Sequence, residues 1–332
     1  MNSDGRAAVC VFLNIVLRWR LLLGTFIIGL VCFLGWLDWY VEKQTGIVGV
    51  GLLPLLIGLI IPSCAELITL SRLAGARPQR LLVYLCTFLV ITMSWLAPIA
   101  SGWAERALSQ VNRPRMEFLM HATCGSWAFA ALGISLILVF MTEIYRFQRP
   151  GFSLIHVAAT MFTIVYLGLL SVFLVQIRLV GGIGYLVTFL LTVKMGDTGA
   201  YTIGRLFGRT KMAPALSPGK TIEGAVGALF FSCFTSWVMF CQVLPACSTT
   251  FRSHGVQGLT TGIPFDWLIF GILIGFIGMM GDLAESMLKR DAQRKDSSLW
   301  MPGFGGILDI LDSILLAAPV AYALWAFGIV VP

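Results

Sequence analysis

The residues best suited to chemistry lie between positions 281 and 313. Ten of these 33 residues are charged, whereas 12% of the whole chain is charged, and apolar segments flank them on both sides. Four of them share the i, i+3, i+4, i+7 spacing that places side chains on one face of a helix: Asp282, Glu285, Ser286 and Lys289. Carboxylates beside cations at a membrane surface are typical of a site that binds a divalent metal together with a phosphorylated substrate.

Two further carboxylates, Asp309 and Asp312, lie one helical turn apart at the start of the next apolar segment. Before them, Pro302-Gly303 and Gly305-Gly306 interrupt the helical pattern, so the chain can reverse and bring Asp309 near Asp282. Placing an ionisable residue at that depth in the membrane costs free energy, so such residues are usually functional. We therefore predict that Asp282 and Asp309 bind Mg²⁺, with Asp312 in a supporting position. The simpler alternative is an ordinary solvated helix end with ion pairs along the helix.

Cations accompany these carboxylates. Lys289 and Arg290 follow Asp282 by two helical turns, and Arg294 and Lys295 come directly after them. Such a group can neutralise a polyphosphate that leaves during a reaction. We therefore predict catalytic roles for Lys289 and Arg290 beside the three aspartates.

A second polar segment covers positions 194–224. It contains Lys194 and Asp197, then a run of glycine, cations and hydroxyl residues that ends in Ser217-Pro218-Gly219-Lys220-Thr221 and Glu223. Small residues mixed with cations suit the close approach of backbone to phosphate. A nucleotide-binding P-loop is excluded, because its first glycine would fall on Pro214. The alternative is a loop rich in turns, whose positive charges serve only to fix the topology of the protein in the membrane.

Composition places the chain in a membrane. Of its 332 residues 58% are hydrophobic, and the mean hydropathy is +0.89. A soluble domain would carry roughly 25% charged residues, so the excess apolar surface needs lipid as its solvent. The fold class is therefore an all-α, polytopic membrane bundle. The eight cysteines lack CxxC spacing and are interpreted as packing residues.

The apolar segments predict about nine membrane spans: 21–37, 47–68, 81–99, 119–142, 153–176, 179–197, 222–245, 265–281 and 306–331. Sixteen of the 23 cations then fall in loops on the side of the N-terminus, which predicts a cytoplasmic N-terminus and a site that faces the cytoplasm at the plasma membrane. The net charge of +7 is explained by this asymmetry, and no soluble basic region indicates nucleic-acid binding.

The polar residues are distributed unevenly between the two halves of the chain. We interpret 1–150 as a transmembrane scaffold half. We interpret 151–332 as a catalytic half with cytoplasmic loops at 198–221 and 282–305.

Over positions 194–313 the sequence resembles the CTP:phosphatidate cytidylyltransferases, or CDP-diacylglycerol synthases. The matching signature comprises Ser286, Leu288, Lys289, Arg290, Lys295, Asp296, Ser298, Pro302, Gly305, Gly306, Asp309 and Asp312. The segment from Asp197-Thr198-Gly199 to Glu223-Gly224 is also similar to that family, and Glu66 is the one polar match before position 150. Three positions depart from the pattern: Phe304 replaces its His, Ile310 its Arg and Met301 its Leu-like residue.

The resemblance implies transfer of CMP from CTP to phosphatidic acid, with CTP and the lipid as partners and Mg²⁺ as cofactor. A second cation such as K⁺ and a homodimer are compatible with it. It implies substrate contacts for ten residues: Asp197, Ser217, Lys220, Thr221, Glu223, Ser286, Lys295, Asp296, Gly305 and Gly306. The alternatives are a CTP-dependent polyprenol or lipid kinase, an ion-coupled transporter and an inactive relative that lacks the family's His and Arg.

Overall fold

The computed structural model of the chain describes residues 24–25, 29–45, 48–108, 113–147, 150–246, 265–298 and 305–330. Over these ranges the chain forms nine long or medium helices and one two-stranded sheet. The prediction of an all-α, polytopic bundle is confirmed. Positions 301–304, which include Phe304 and the Pro302-Gly303 break, lie outside the described residues.

The structure gives the bounds of nine helices along the described ranges. In chain order they are α1 (29–45), α2 (Leu52–Leu73), α3 (Arg80–Leu108), α4 (Arg113–Arg146), α5 (Ser153–Thr163), α6 (Leu170–Phe207), α7 (Ile222–Val238), α8 (Asp266–Asp291) and α9 (Leu308–Ala326). A π-helical segment, Ile164–Leu169, joins α5 to α6, and another, Met239–Val243, extends α7 towards a last turn at Leu244–Ala246.

Six helices within the described ranges are long and apolar enough to cross a membrane. They are Leu52–Leu73, Trp127–Arg146, Ser153–Leu179, Ile222–Ala246, Asp266–Asp291 and Leu308–Ala326. Their outward faces carry exposed apolar side chains such as Leu154 and Phe230, which suit a lipid environment. The protein is therefore an integral membrane protein. The total of nine spans and the side of the N-terminus stay predictions.

Helix α6 is kinked at Gly182, close to the boundary predicted between the fifth and sixth spans. Gly182 has φ 76° and ψ −174°, a left-handed conformation that glycine adopts without the steric cost of a Cβ. The helix beyond the kink runs to Phe207 and passes through Lys194 and Asp197. This kinked helix carries Asp197 to the site described below.

Glycines let the helices of the C-terminal half approach closely. A Cβ at Gly199 would stand 2.6 Å from the Gly227 carbonyl oxygen, so α6 and α7 touch backbone to backbone. A Cβ at Gly281 would likewise stand 2.6 Å from the carbonyl oxygen of Asp312, where α8 crosses α9. Close crossings of this kind are typical of small residues in membrane helices.

The two predicted loops are shorter than the sequence suggests. The loop expected at 198–221 begins only after Phe207, because the glycines before it pack α6 against α7 and do not break the helix. It contains a small antiparallel hairpin of β1 (Lys211–Ala213) and β2 (Ser217–Thr221), in which Lys211 pairs with Thr221. The loop expected at 282–305 begins after Asp291, where α8 ends.

Candidate active site

An open pocket of about 280 Å³ lies where α6, α8 and α9 meet. Six carboxylates line it: Asp197, Asp282, Glu285, Asp296, Asp309 and Asp312. The other two lining residues are Lys289 and Ser313. The structure thus brings together both aspartates of α9 and the acidic face of α8, which the sequence predicts to converge. Ser313 was not among the predicted site residues.

The crossing of α8 and α9 sets the position of two of these carboxylates. Gly281 abuts the backbone of Asp312 and Ser313, so the next residue, Asp282, emerges beside the first turns of α9. Oδ1 of Asp312 accepts hydrogen bonds from the backbone N–H of Ser313 at 2.5 Å and from its hydroxyl at 3.0 Å. Asp312 is buried, whereas the side chain of Asp282 is 41% exposed at the pocket mouth.

Lys289 connects α8 to α9 at the wall of the pocket. Its Nζ lies 3.1 Å from Oε2 of Glu285 and 2.5 Å from Oδ1 of Asp309. Glu285 is fully buried, and its Oε1 has no hydrogen-bond partner within the described ranges. Two carboxylates therefore hold the ammonium group of Lys289 in one place, with its charge directed towards the pocket.

The second oxygen of Asp309 is occupied by hydrogen bonds. Oδ2 accepts from the Gly306 N–H at 2.6 Å, the Ser297 hydroxyl at 2.8 Å and the Ser297 N–H at 3.3 Å. Gly305 has φ +83°, and a Cβ there would collide with Oδ2 of Asp309. Gly305 and Gly306, predicted to contact substrate, thus lie against Asp309. The sequence does not predict the role of Ser297, because no local pattern indicates that it contacts α9.

Lys194 and Asp197 meet the start of α9 from α6. Nζ of Lys194 lies 3.0 Å from Oδ2 of Asp197 and donates to the Ile310 carbonyl oxygen at 2.9 Å. Oδ1 of Asp197 lies 3.4 Å from the Ser313 hydroxyl. An ion pair is thus present within one turn of α6, and Lys194 also anchors α6 to α9.

The hairpin brings one more cation to the pocket mouth. Nζ of Lys220, at the end of β2, lies 2.8 Å from Oδ2 of Asp282, and the Lys220 side chain is 20% exposed. The neighbouring Thr221 is buried and acts as the N-cap of α7, since its hydroxyl accepts from the Gly224 N–H at 3.1 Å. Lys220 thus faces the carboxylates, while Thr221 stabilises the helix that follows.

Four other predicted site residues are placed outside the lining of this pocket. Glu223 accepts hydrogen bonds from the backbone N–H groups of Arg209 and Thr210, so it supports the turn before the hairpin. Arg290 is exposed and donates to the carbonyl oxygens of Leu216 and Arg294, which ties the hairpin loop to α8. The remaining two are Ser217, partly exposed in β2, and Lys295, exposed after α8. Their predicted substrate or catalytic roles stay predictions.

Ser286 lies beside the pocket on the buried side of α8. Its hydroxyl is 3.5 Å from Oδ1 of Asp282, a long contact that leaves this carboxylate oxygen weakly satisfied. Asp296, another predicted substrate contact, lies in the lining itself.

The donor chemistry of the pocket fits Mg²⁺. Among the described residues no three carboxylate, imidazole or thiol groups form a ready-made chelate. Mg²⁺ does not require one, because it commonly takes one or two protein carboxylates and completes its shell with water and substrate phosphate oxygens. Over the described ranges Oδ2 of Asp312 has no donor, and Oδ1 of Asp282 has only the long contact with Ser286. Asp282 and Asp312 are therefore the carboxylates best placed to hold the ion, whereas both oxygens of Asp309 contact protein donors.

Comparison with known proteins identifies relatives over most of the chain. A model of the cytidylyltransferase family matches residues 8–327. A phosphatidate cytidylyltransferase of Chlamydia muridarum is 36% identical over 145 residues, which are 43% of this chain and 43% of the relative. One of Staphylococcus saprophyticus is 34% identical over 203 residues, which are 59% of this chain and 70% of the relative.

A third relative, the phosphatidate cytidylyltransferase of Staphylococcus aureus, is 33% identical over 175 residues, which are 52% of this chain and 60% of the relative. The matched stretch thus spans less than half of the Chlamydia protein and about 60 to 70% of the two staphylococcal proteins.

Proposed function

The chain belongs to the cytidylyltransferase family, and from that premise we propose that it is a phosphatidate cytidylyltransferase. It transfers CMP from CTP to phosphatidic acid and releases pyrophosphate, which gives CDP-diacylglycerol for phospholipid biosynthesis. The relatives at 33–36% identity carry that name, and the family model matches nearly the whole chain.

The observation that carries the proposal is the pocket, which carboxylates from three helices line together with Lys289, while Lys220 pairs with one of these carboxylates, Asp282, from outside the lining. A nucleoside triphosphate needs both kinds of group, because its negative charge must be neutralised while a metal-bound phosphate is held in line for attack. A lipid phosphate adds a further negative charge to the same place. The abundance of acidic residues is thus explained by a bound Mg²⁺, and the lysines by the phosphates.

The reaction needs positioning more than acid–base chemistry. An oxygen of the lipid phosphate attacks the α-phosphorus of CTP, a new P–O bond forms, and the bond between the α- and β-phosphates breaks. The electron pair of that bond leaves with pyrophosphate. A phosphate monoester is already anionic near neutral pH, so no side chain has to remove a proton. The family's His, replaced here by Phe304, is therefore dispensable in this scheme.

The location of each residue indicates its role in the reaction. Lys289, fixed between Glu285 and Asp309, stabilises the negative charge that develops on the departing pyrophosphate. Lys220 neutralises a phosphate at the pocket mouth. Bound through Asp282 and Asp312, Mg²⁺ would supply charge neutralisation and orientation of the phosphate oxygens.

The location in the cell follows from charge and from substrate. The cationic loops predict that the ends of α6, α8 and the hairpin face the cytoplasm, where CTP is found. We place the enzyme in the plasma membrane with the pocket at its cytoplasmic face. Phosphatidic acid then reaches the pocket from the inner leaflet.

Position-specific labels test the reaction. Purified protein is incubated with phosphatidic acid, Mg²⁺ and CTP labelled in either the α- or the γ-phosphate, and the lipid products are separated by thin-layer chromatography. We expect α label in the lipid and γ label in pyrophosphate. Label from only the γ position in the lipid would establish a CTP-dependent lipid kinase instead. No labelled lipid from either substrate would indicate an inactive relative, and nucleotide-independent ion flux in proteoliposomes would indicate a transporter.

A further inference from the structure

Glu66 lies on α2, in the half of the chain that the sequence presents as scaffold, yet its contacts are with the segment around the pocket. It is buried, with 6% of its surface exposed. Its Oε1 accepts from the Ser298 hydroxyl at 2.7 Å and the Ile307 N–H at 3.1 Å. Its Oε2 accepts from the Leu308 N–H at 2.9 Å and lies 3.0 Å from the Ser297 hydroxyl, whose single proton it shares with Asp309. These four donors and Glu66 are called the Glu66 cluster below.

The donors come from two places in the chain that Glu66 holds together. Ser297 and Ser298 follow α8, whereas Ile307 and Leu308 form the first turn of α9. The N–H groups of a first helical turn have no partner within the helix, and a carboxylate is the acceptor that stabilises them best. One side chain of α2 therefore fixes both the exit from α8 and the start of α9.

The cluster is closely packed at Gly306. A Cβ at Gly306 would collide with the Ser297 hydroxyl and with the Glu66 carboxylate. The backbone at Gly306, just before α9, therefore passes directly over the Glu66 carboxylate. A shorter or uncharged side chain at position 66 would leave buried N–H or O–H donors without an acceptor.

The cluster reaches the pocket through Ser297. The Ser297 hydroxyl lies 3.0 Å from Oε2 of Glu66 and 2.8 Å from Oδ2 of Asp309. Asp309 in turn contacts Nζ of Lys289 at 2.5 Å. A continuous set of contacts thus runs from α2 to the ammonium group at the pocket wall.

From this geometry we propose that Glu66 is a positioning residue for the reaction: it holds the start of α9 and Ser297 so that Asp309 and Lys289 keep their places beside the departing pyrophosphate. Glu66 does not touch substrate. The inference rests on the proposed CMP transfer, and it makes the N-terminal half a functional part of the site.

The test compares Glu66→Gln with Glu143→Gln. Glu143 is a matched control, because it is also a buried glutamate, hydrogen-bonded to Gln79 Nε2 at 2.9 Å and close to His156, but it belongs to α4 and lies outside the pocket lining. We expect Glu66→Gln to lower kcat by about 10- to 100-fold, since small displacements of catalytic groups cost that much, with KM for CTP changed less than about threefold. We expect Glu143→Gln to stay within about twofold of the wild-type kcat.

Combining Glu66→Gln with Ser297→Ala tests the route of the effect. If Glu66 acts through Ser297, the double variant is about as slow as the slower single variant, whereas independent effects multiply. Three results would overturn the proposal. The first is a wild-type kcat in folded Glu66→Gln, and the second is an equal loss of kcat in Glu66→Gln and Glu143→Gln. The third is a double variant in which the two losses of kcat multiply. If Glu66→Gln does not fold, the proposal is tested with Ser297→Ala alone. We then expect a reduced kcat, and a wild-type kcat would contradict the proposal.

Hydrogen exchange separates this inference from the proposed reaction. If the wild-type protein transfers no CMP, the reaction proposal fails, but the amide hydrogens of Ile307 and Leu308 still report on the cluster. We expect them to exchange faster in Glu66→Gln than in the wild type and in Glu143→Gln. Unchanged exchange at these two amides would show that Glu66 does not position α9.

Discussion

Nζ of Lys220 lies 2.8 Å from Oδ2 of Asp282, so strand β2 brings a cation to the carboxylate at the mouth of the pocket. The two polar segments that the sequence singles out therefore belong to one site. Both side chains are partly exposed, 20% for Lys220 and 41% for Asp282. Nζ of Lys220 is itself buried, so solvent screens the pair only from the side of Asp282. We infer that its main effect is to place the Lys220 charge where phosphate arrives.

Replacing Lys220 by methionine should therefore impair catalysis more than folding. We expect Lys220→Met to lower kcat/KM for CMP transfer by about 10- to 100-fold, because one charge that stabilises phosphate is lost. Lys211→Met is the matched control, since Lys211 lies on the other strand of the same hairpin with its side chain exposed. Steady-state rates in detergent micelles measure both. Equal losses in the two variants would show that only the general positive charge of the hairpin matters.

The carboxylates at the crossing of α8 and α9 should be more sensitive still. Asp282→Asn and Asp312→Asn each keep the shape of the side chain and remove its charge, and we expect kcat to fall by about 10²–10³-fold, the cost of removing one preorganised electrostatic group. Asp291→Asn serves as the control, because Asp291 is exposed at the last position of α8. The same turnover assay applies. Activity of Asp282→Asn close to that of Asp291→Asn would remove Asp282 from the site.

The convergence of these carboxylates follows from local rules that can be applied to the sequence. Asp282 ends an apolar segment, Asp309 begins the next one, and glycine and proline between them indicate a reversal of the chain. The spacing of Glu285 and Lys289 places them on the same helix face as Asp282. The structure has all of these residues at one pocket.

The parts that the sequence does not predict depend on contacts between distant segments. Glu66 bonds to Ser297, which is 231 positions later, and no periodicity links two such residues. The glycine-rich start of the segment after Asp197 indicates a loop by composition. It is helical in the structure because glycines of α6 and α7 pack against each other, so that tertiary packing overrides local propensity. The phosphate-binding pattern likewise does not predict that Thr221 caps α7 and that Glu223 supports a turn, because these contacts depend on how the hairpin meets α7.

Removal of divalent metal should abolish the activity. We expect a chelator to stop CMP transfer and added Mg²⁺ to restore it, since the pocket carboxylates otherwise repel the substrate phosphates. In Asp312→Asn the Mg²⁺ concentration for half-maximal rate should rise by about tenfold or more, while Asp291→Asn should require the wild-type concentration. Titration of the initial rate with Mg²⁺ gives both values. The same requirement in the two variants would exclude Asp312 as a ligand.

The close crossing of α8 and α9 gives a prediction for stability. A Cβ at Gly281 would stand 2.6 Å from the Asp312 carbonyl oxygen and 2.9 Å from Cα of Ser313, which are backbone atoms that cannot rotate away. Gly281→Ala should therefore separate the two helices and destabilise the protein by about 1–3 kcal/mol. Because Asp282 and Asp312 flank this contact, the same variant should lose CMP transfer even where it remains folded.

Gly133→Ala is the matched control, since Gly133 lies within α4 and has nothing within 4 Å of an added Cβ. Alanine is the better helix former, so we expect this variant to be more stable than the wild type by ~0.5–1 kcal/mol, with unchanged activity. Unfolding of the purified proteins in detergent, followed by circular dichroism, measures both changes, and the turnover assay completes the comparison. Equal stability of Gly281→Ala and Gly133→Ala would mean that α8 and α9 do not touch at Gly281, and the placement of Asp282 beside Asp312 would then be wrong.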